Sequence, residues 1–428
     1  MANPDVVIIG AGILGLATAY HIKRTRPRDE VLVVDMLSGP GQGNTAKSAA
    51  MFRSFFSSKT NLTLADTSIE FYKHVQEEYN LDFKMRWVGY LFLLNENDYK
   101  RNKEILEEMD RRGLKYVVYD SDYLSKNLNL NTKVSEDEEA RLMGLLDVDV
   151  GLFVPKAGSI DVDLVVKFYE REFLKLGGKA QYNTKVKRIL IEPRNPLGIP
   201  GEPYVWQDAR ASGVETDKGV IKASKVIVAA GAWVSSLLDP LGVDCHVKPK
   251  KRQIFSVKAD KEELKKLLWC KAFNPEGCMP FIILPKPHIY IRPAVEEEAF
   301  WLGCADEFGR AFKLEDEPLP EENFYKYGIY QVVVKYFPQF EGCSPYSSWA
   351  GLYAINTIDE QPIVFEENDI IVVSGASGSG VMKADALGRI AAALYAEEEY
   401  AELYGGVKFK VSDLGIKERK VEPERLVL

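Results

Sequence analysis

At 428 residues the chain is longer than one hydrophobic core usually grows, so two domains are expected. A composition of 46% apolar and 28% charged residues is that of a globular protein, and a net charge of −8 without a basic stripe excludes a nucleic-acid partner. The five cysteines (Cys245, Cys270, Cys278, Cys304, Cys343) are odd in number and lack CxxC spacing, and the four histidines stand apart, so neither a disulfide framework nor a metal centre is expected.

The N-terminal "DVVIIGAGILGLATAYHIKRTR" lacks the basic n-region of a signal peptide, and no apolar run reaches the roughly 18 residues of a membrane helix. A cytoplasmic location is the resulting expectation. Residues 5–9 read as a buried parallel strand. Gly10, Gly12 and Gly15 then form G-x-G-x-x-G, and a helix runs on from Ala17. Gly10 would make the tight turn and Gly12 would let a pyrophosphate approach the backbone. Gly15 would let helix and strand pack closely, with the helix N-terminus attracting phosphate. The next strand, "EVLVVD", ends in Asp35, placed to accept hydrogen bonds from a ribose. A dinucleotide follows from this unit; whether NAD or FAD does not.

Strand and helix do not go on alternating, as they would in an NAD enzyme. The chain enters a small-residue segment, "SGPGQGNTAKSAAMFRSFFSS", with Arg53 inside it, then a long helix over "NLTLADTSIEFYKHVQEEYN" with Asn61 as the expected cap. "NDYKRNKEILEEMDRRG" and "LPEENFYKYGIYQVVVKYF" read as amphipathic helices. "WVGYLFLL", "KRQIFSVKA", "FIILPKPHIYIRPA" and "EEAFWLGCADEF" read as strands of a mostly antiparallel sheet. Between them "ASKVIVAAGAWVSSLL" gives a buried strand, Gly231 and a helix start. A last glycine turn, in "IIVVSGASGSGVMKADALGRIAAAL", precedes the final long helix. Runs rich in Glu and Lys lean toward a thermophilic source.

These glycine-bearing segments, together with "WAGLYAINTIDEQPIV", resemble the FAD-dependent amine oxidoreductases of the D-amino-acid oxidase, glycine oxidase and sarcosine oxidase type. Within that superfamily the chain looks most like the FAD-carrying catalytic type of archaeal dye-linked L-proline dehydrogenase. The resemblance implies an α/β fold: a Rossmann-type FAD domain from residues 1–83, 145–244 and 341–428, and an inserted α+β substrate domain from 84–144 and 245–340. It implies FAD, with one glycine turn for each end of the long cofactor. Contacts are expected from Gly10, Gly12, Ile13, Leu14, Gly15, Asp35 and Met36 at the first turn, and from Thr45, Ser48, Ala49 and Ala50 in the small-residue segment. Further contacts are expected from Val186, Ala230, Gly231 and Trp233, and from Gly375, Gly378, Gly380, Val381, Met382 and Lys383, with a helix beginning near Gly380 under the flavin's pyrimidine end.

By the same resemblance Arg53 and Lys383 grip a substrate carboxylate, with Arg292 a third candidate cation and Tyr290 a candidate wall of the pocket. "LYAINTIDE" lacks the cysteine through which sarcosine-type oxidases attach FAD, and His21 lies too deep in the first helix, so FAD should be non-covalent. Trp301, in "AFWLGC", aligns with the lysine that helps those oxidases react with oxygen, which favours a dehydrogenase. The expected activity is hydride transfer from an amino or imino acid, L-proline foremost, to FAD, with electrons passed to a quinone-like or dye acceptor. A glycine or sarcosine oxidase, a 2-hydroxy acid or glycerol-3-phosphate dehydrogenase, and a non-catalytic FAD subunit are the alternatives. Assembly as a homo-oligomer or within a larger dehydrogenase complex stays open, as does whether the tail "EPERLVL" docks on its own chain or on a partner.

Overall fold

The structure is a computed structural model and describes residues 3–79 and 81–426. Its central sheet has six strands in the order Ile363–Glu367, Ile370–Ser374, Lys225–Val228, Val6–Ile9, Val31–Val34, Lys179–Gln181. All neighbours are parallel except the first pair. Val6–Ile9 is buried along its whole length, which explains its uninterrupted β-branched sequence: a central parallel strand is covered on both faces.

One face packs against the helices Ile13–Thr25, Lys59–Glu78, Val162–Lys175 and Ala384–Tyr395. The other packs against a three-stranded sheet (Val186–Pro193, Ala209–Thr216, Gly219–Lys222) and the short helix Val234–Leu238. Gly15 serves packing: a Cβ there would lie 1.9 Å from the Gly10 carbonyl oxygen. Gly388 does the same between the first and last long helices, where a Cβ would stand 2.7 Å from the Ala17 carbonyl carbon.

A second sheet has eight strands: Ser347–Asn356, Val247–Lys258, Ala299–Gly303, Tyr290–Ala294, Phe281–Ile283, Tyr90–Leu94, Val150–Val154, Val117–Asp120. It is antiparallel apart from the pair Phe281–Ile283 and Tyr90–Leu94. It contains every strand expected for the substrate domain. Val150–Val154 and Ser347–Asn356 also belong to it, although the division at residues 145 and 341 gave both to the FAD domain. Their pairing with Tyr90–Leu94 and Val247–Lys258 is what assigns them to this sheet.

Two local expectations change and a third is refined. The long helix starts at Lys59 and is capped by Ser58, whose Oγ accepts from the Asn61 N–H (3.1 Å), so Asn61 lies inside the first turn rather than capping it. Helical backbone begins next to Gly380 as expected, but as a single tight turn over Val381–Lys383 that leads into the final long helix Ala384–Tyr395. The region 319–337 is a wide helical turn over Phe324–Ile329 running into the helix Tyr330–Tyr336. No helix among the described residues is long and apolar enough to cross a membrane.

The tail folds back on its own chain. The Glu424 carboxylate accepts from the Ser57 N–H (2.9 Å) and hydroxyl, and Leu426 is buried. Val427 and Leu428, the last two residues of the apolar ending, lie outside the described residues.

Candidate active site

A long groove runs between the two sheets. At one end Gly12, Ile13 and Leu14 line it at the start of the first helix, where N–H groups have no intrahelical acceptor. Asp35 closes the turn: its carboxylate accepts from the N–H groups of Ala11 (2.7 Å) and Leu37 (2.8 Å), while burial pushes its carboxyl up. Gly10 has φ +107°, and a Cβ on it would lie 2.6 Å from the Ala229 carbonyl oxygen. A Cβ at Gly12 would meet one protein atom, the Thr45 hydroxyl oxygen, at a tight 3.3 Å.

Met36, Thr45, Ser48, Ala49, Val186, Ala230, Gly231 and Trp233 continue the lining, and Gly375, Gly378, Gly380 and Val381 complete it at the far end. Gly378 (φ +88°) lies under the ring of Tyr353, which a Cβ would meet at 2.3 Å. Tyr290 and Arg252, from the eight-stranded sheet, face the same groove. No cysteine or histidine is among the lining residues. His21 is buried against Asp385, its Nε2 2.7 Å from the carboxylate.

Gly15, Ala50 and Met382 are not on the lining. Gly15 packs against Gly10, and Ala50 and Met382 are buried in the core beneath. Arg53, Lys383 and Arg292 also stand off the groove's lining, and the buried Tyr90 lies near both arginines. Arg53 and Lys383 share the ring of Phe56, with the guanidinium 4.7 Å and the ammonium 5.3 Å from its centroid. Tyr90 and Phe92 present their rings to Arg53 at 5.9 and 5.8 Å. Among the described residues Arg53 has no hydrogen-bond acceptor and no carboxylate partner for its guanidinium. Lys383 is 2% exposed and donates to Asn61 Oδ1 (2.6 Å) and Ser379 Oγ (2.7 Å). Burial, then the nearby Arg53, bring its pKa down to about 7.

Arg292 lies 4.0 Å over the ring of Trp301, its cross-strand partner, and its Nε is buried without an acceptor. Burial brings its pKa down to about 10. Trp301 packs edge-on against Trp349 (4.7 Å between centroids) and donates to Glu297.

Sequence reasoning missed Phe56, Asn61, Tyr90, Arg252, Tyr353 and Ser379. Asn61 was seen, but as a cap. Arg252 ends a basic run with Lys248, Lys250 and Lys251 that reads as a solvated stretch, and the three aromatic residues look like any core aromatic until the sheet is assembled.

The profile of the FAD dependent oxidoreductase (DAO) family matches residues 5–394, and the chain belongs to that family. It is similar to "FAD-dependent oxidoreductase domain-containing protein 1" of Xenopus laevis, 24% identical over 432 residues, which span 93% of this chain and 80% of that protein. The probable sarcosine oxidase of Arabidopsis thaliana is 22% identical over 426 residues, 95% of this chain and 91% of its own. Among solved structures, L-proline dehydrogenase from P. horikoshii shares the fold with a TM-score of 0.74 at 24% identity, covering 96% of both chains. Glycine oxidase from Geobacillus kaustophilus does so with a TM-score of 0.71 at 17% identity, covering 93% of this chain and 96% of that one. FAD is the cofactor of the family. Gly12 on the groove at the helix start, where the Ile13 N–H donates to Thr45 Oγ1 (3.2 Å), and a second glycine turn at the groove's other end fit a long cofactor carrying a diphosphate.

Proposed function

We propose that the protein is an FAD-dependent dehydrogenase of a secondary amino acid, with L-proline the leading substrate. When bound, FAD supplies the hydride-accepting chemistry. The observation that carries the reading is the pair Arg53 and Lys383: two cations on one phenyl ring, walled by aromatic residues, with no protein carboxylate on the arginine. A small molecule with one carboxylate and an apolar body satisfies such a place. Arg53 offers the bidentate fork, and Phe56, Tyr90 and Phe92 keep water from competing.

FAD lies along the groove without a covalent link, a reading supported by a lining free of cysteine and histidine. Electrons leave to a quinone-like or dye acceptor rather than to oxygen, a reading supported by the sequence resemblance that aligns Trp301 with the lysine of sarcosine-type oxidases. Arg292, with its unpartnered Nε, favours a second reading: a substrate bearing another anionic group, such as L-2-hydroxyglutarate.

The test is anaerobic bleaching of the flavin band by L-proline, sarcosine, glycine and L-2-hydroxyglutarate in turn, followed by air. Bleaching by L-proline with slow recolouring is expected. Immediate recolouring after sarcosine or glycine makes the protein an oxidase, bleaching by the hydroxy acid alone supports the Arg292 reading, and no bleaching by any of them overturns the enzyme assignment.

A further inference from the structure

An amino acid reaches the site at neutral pH as a zwitterion, yet its nitrogen must carry a lone pair before the adjacent carbon can give up hydride. Something has to take that proton. Among the described residues the groups facing the substrate place are few: Arg53 from the strand Met51–Arg53, Asn61 and the Tyr72 hydroxyl from the long helix, Tyr90 from the eight-stranded sheet, Ser379 and Lys383 from the last glycine turn, and Glu424 from the tail. Burial holds the Tyr90 hydroxyl far above its usual range, so it is no acceptor. Arg53 keeps its proton. Tyr72 donates to the Val381 carbonyl oxygen (2.9 Å), and burial holds its hydroxyl far above the usual range. The Glu424 carboxylate is engaged by the Ser57 N–H and hydroxyl and the Ser58 N–H.

Lys383 differs. Its nitrogen has three positions besides its own carbon, and two are committed to donating, to Asn61 Oδ1 and Ser379 Oγ. The third is an N–H in the ammonium and a lone pair in the amine. No carboxylate lies within ion-pair distance of it among the described residues, and Arg53 stands on the same ring. Burial together with that neighbour makes the amine accessible near neutrality. An incoming carboxylate reverses the balance, because it offers Lys383 the anion the protein withholds.

Resting on the proposed amino-acid reading, we propose that Lys383 is the proton acceptor of this site: it arrives neutral, takes one proton from the bound substrate's ammonium and becomes the second cation on the substrate carboxylate. The N–H bond of the substrate breaks and an N–H bond on Nζ forms, so no net charge enters or leaves. With FAD bound, the cofactor would take the C–H pair as hydride, and the nitrogen lone pair would close the C=N bond of the protonated imine.

Tetrahydrofuran-2-carboxylate separates the steps, because it keeps the carboxylate and ring of proline but brings no ammonium proton. Its binding to the oxidised holoenzyme is followed by the flavin spectrum and by calorimetry in two buffers of different ionisation enthalpy. Above pH 7, binding should draw up to one proton from the buffer per site, falling toward none at pH 6, where Lys383 is already charged. Lys383→Met should abolish the uptake. Asn61→Asp, which sets a permanent anion beside the nitrogen and nearly preserves shape, should abolish it as well. If the probe leaves the flavin spectrum unchanged, the amino-acid reading itself fails. A spectral change without proton uptake at any pH, or uptake that persists in both variants, overturns the role of Lys383 and leaves the amino-acid reading intact.

Discussion

Replacing Arg53 by methionine removes a guanidinium that leaves no protein group unpaired, so the cost should fall on substrate rather than on folding. Loss of a charge-assisted pair to a carboxylate is worth about 3 kcal/mol, so kcat/KM for L-proline should drop on the order of 100-fold. The melting temperature should stay within a few degrees of wild type. A variant with unchanged KM and kcat, measured with a dye acceptor, would remove Arg53 from the substrate site. At Trp301 the readout is oxygen. The indole fills the space between Arg292 and Trp349, and reduced enzyme should recolour slowly in air. Trp301→Lys places a cation there and should speed recolouring by about tenfold or more. An unchanged rate would show that Trp301 has no part in oxygen reactivity.

Among the elements, the first helix separates the two duties of its glycines. An alanine at Gly15 drives a methyl group into the Gly10 carbonyl, a backbone atom that cannot step aside. At Gly12 it meets only a side-chain hydroxyl at 3.3 Å. Gly15→Ala should therefore yield little folded protein, whereas Gly12→Ala should fold and purify with less flavin. The absorbance ratio at 450 and 280 nm checks this, and a fully loaded Gly12→Ala would sink the assigned approach of the diphosphate. The first and last long helices also meet through His21 and Asp385. Burial holds the His21 imidazole below its usual range, even though Asp385 works the other way. The unfolded chain thus takes up the proton first, at about 6.5, and this contribution to stability is present above that pH and lost as the pH falls below it. The melting temperature should decline from pH 7.5 to 5.5, and less steeply in His21→Gln; parallel curves for the two proteins would show that the fold leaves the His21 pKa unshifted, and a shallower decline in wild type that it holds His21 charged.

What was legible at this scale followed from local rules. Each glycine turn announced itself through a β-branched run on one side and helical spacing on the other, and both lie on one groove. Illegible were the contacts made by sheet register. Nothing near Trp301 in the sequence says that Arg292 stands across from it, nor does anything near Gly378 point to Tyr353. Asn61 was misread because an asparagine beside a helix start usually caps it, and only Lys383, more than 300 residues away, reveals its other use.

For the whole molecule, the groove takes residues from both sheets, so FAD should join them. Ligand held at about 1,000 times its Kd adds about 4 kcal/mol to stability, and flavin-free protein should melt several degrees lower and recover when FAD is added back. Equal melting temperatures would mean that the groove does not hold the cofactor. The division of the chain was legible in outline because two alternating patterns of different kind could be told apart. Its edges were not. Val150–Val154 and Ser347–Asn356 are apolar runs that suit either sheet, and only pairing assigns them.

The order of the six-stranded sheet also bears on how the protein comes into being. Val6–Ile9 is made first but sits between Val31–Val34 and Lys225–Val228, with Val7 beside Val226. Ribosomes add roughly 5–20 residues per second, so the nascent strand waits on the order of ten to forty seconds for its second neighbour. Through that interval one edge of the emerging nucleotide-binding unit stands open to pairing with other chains. The far glycine turn follows later still, so flavin capture has to wait until that turn has been made as well.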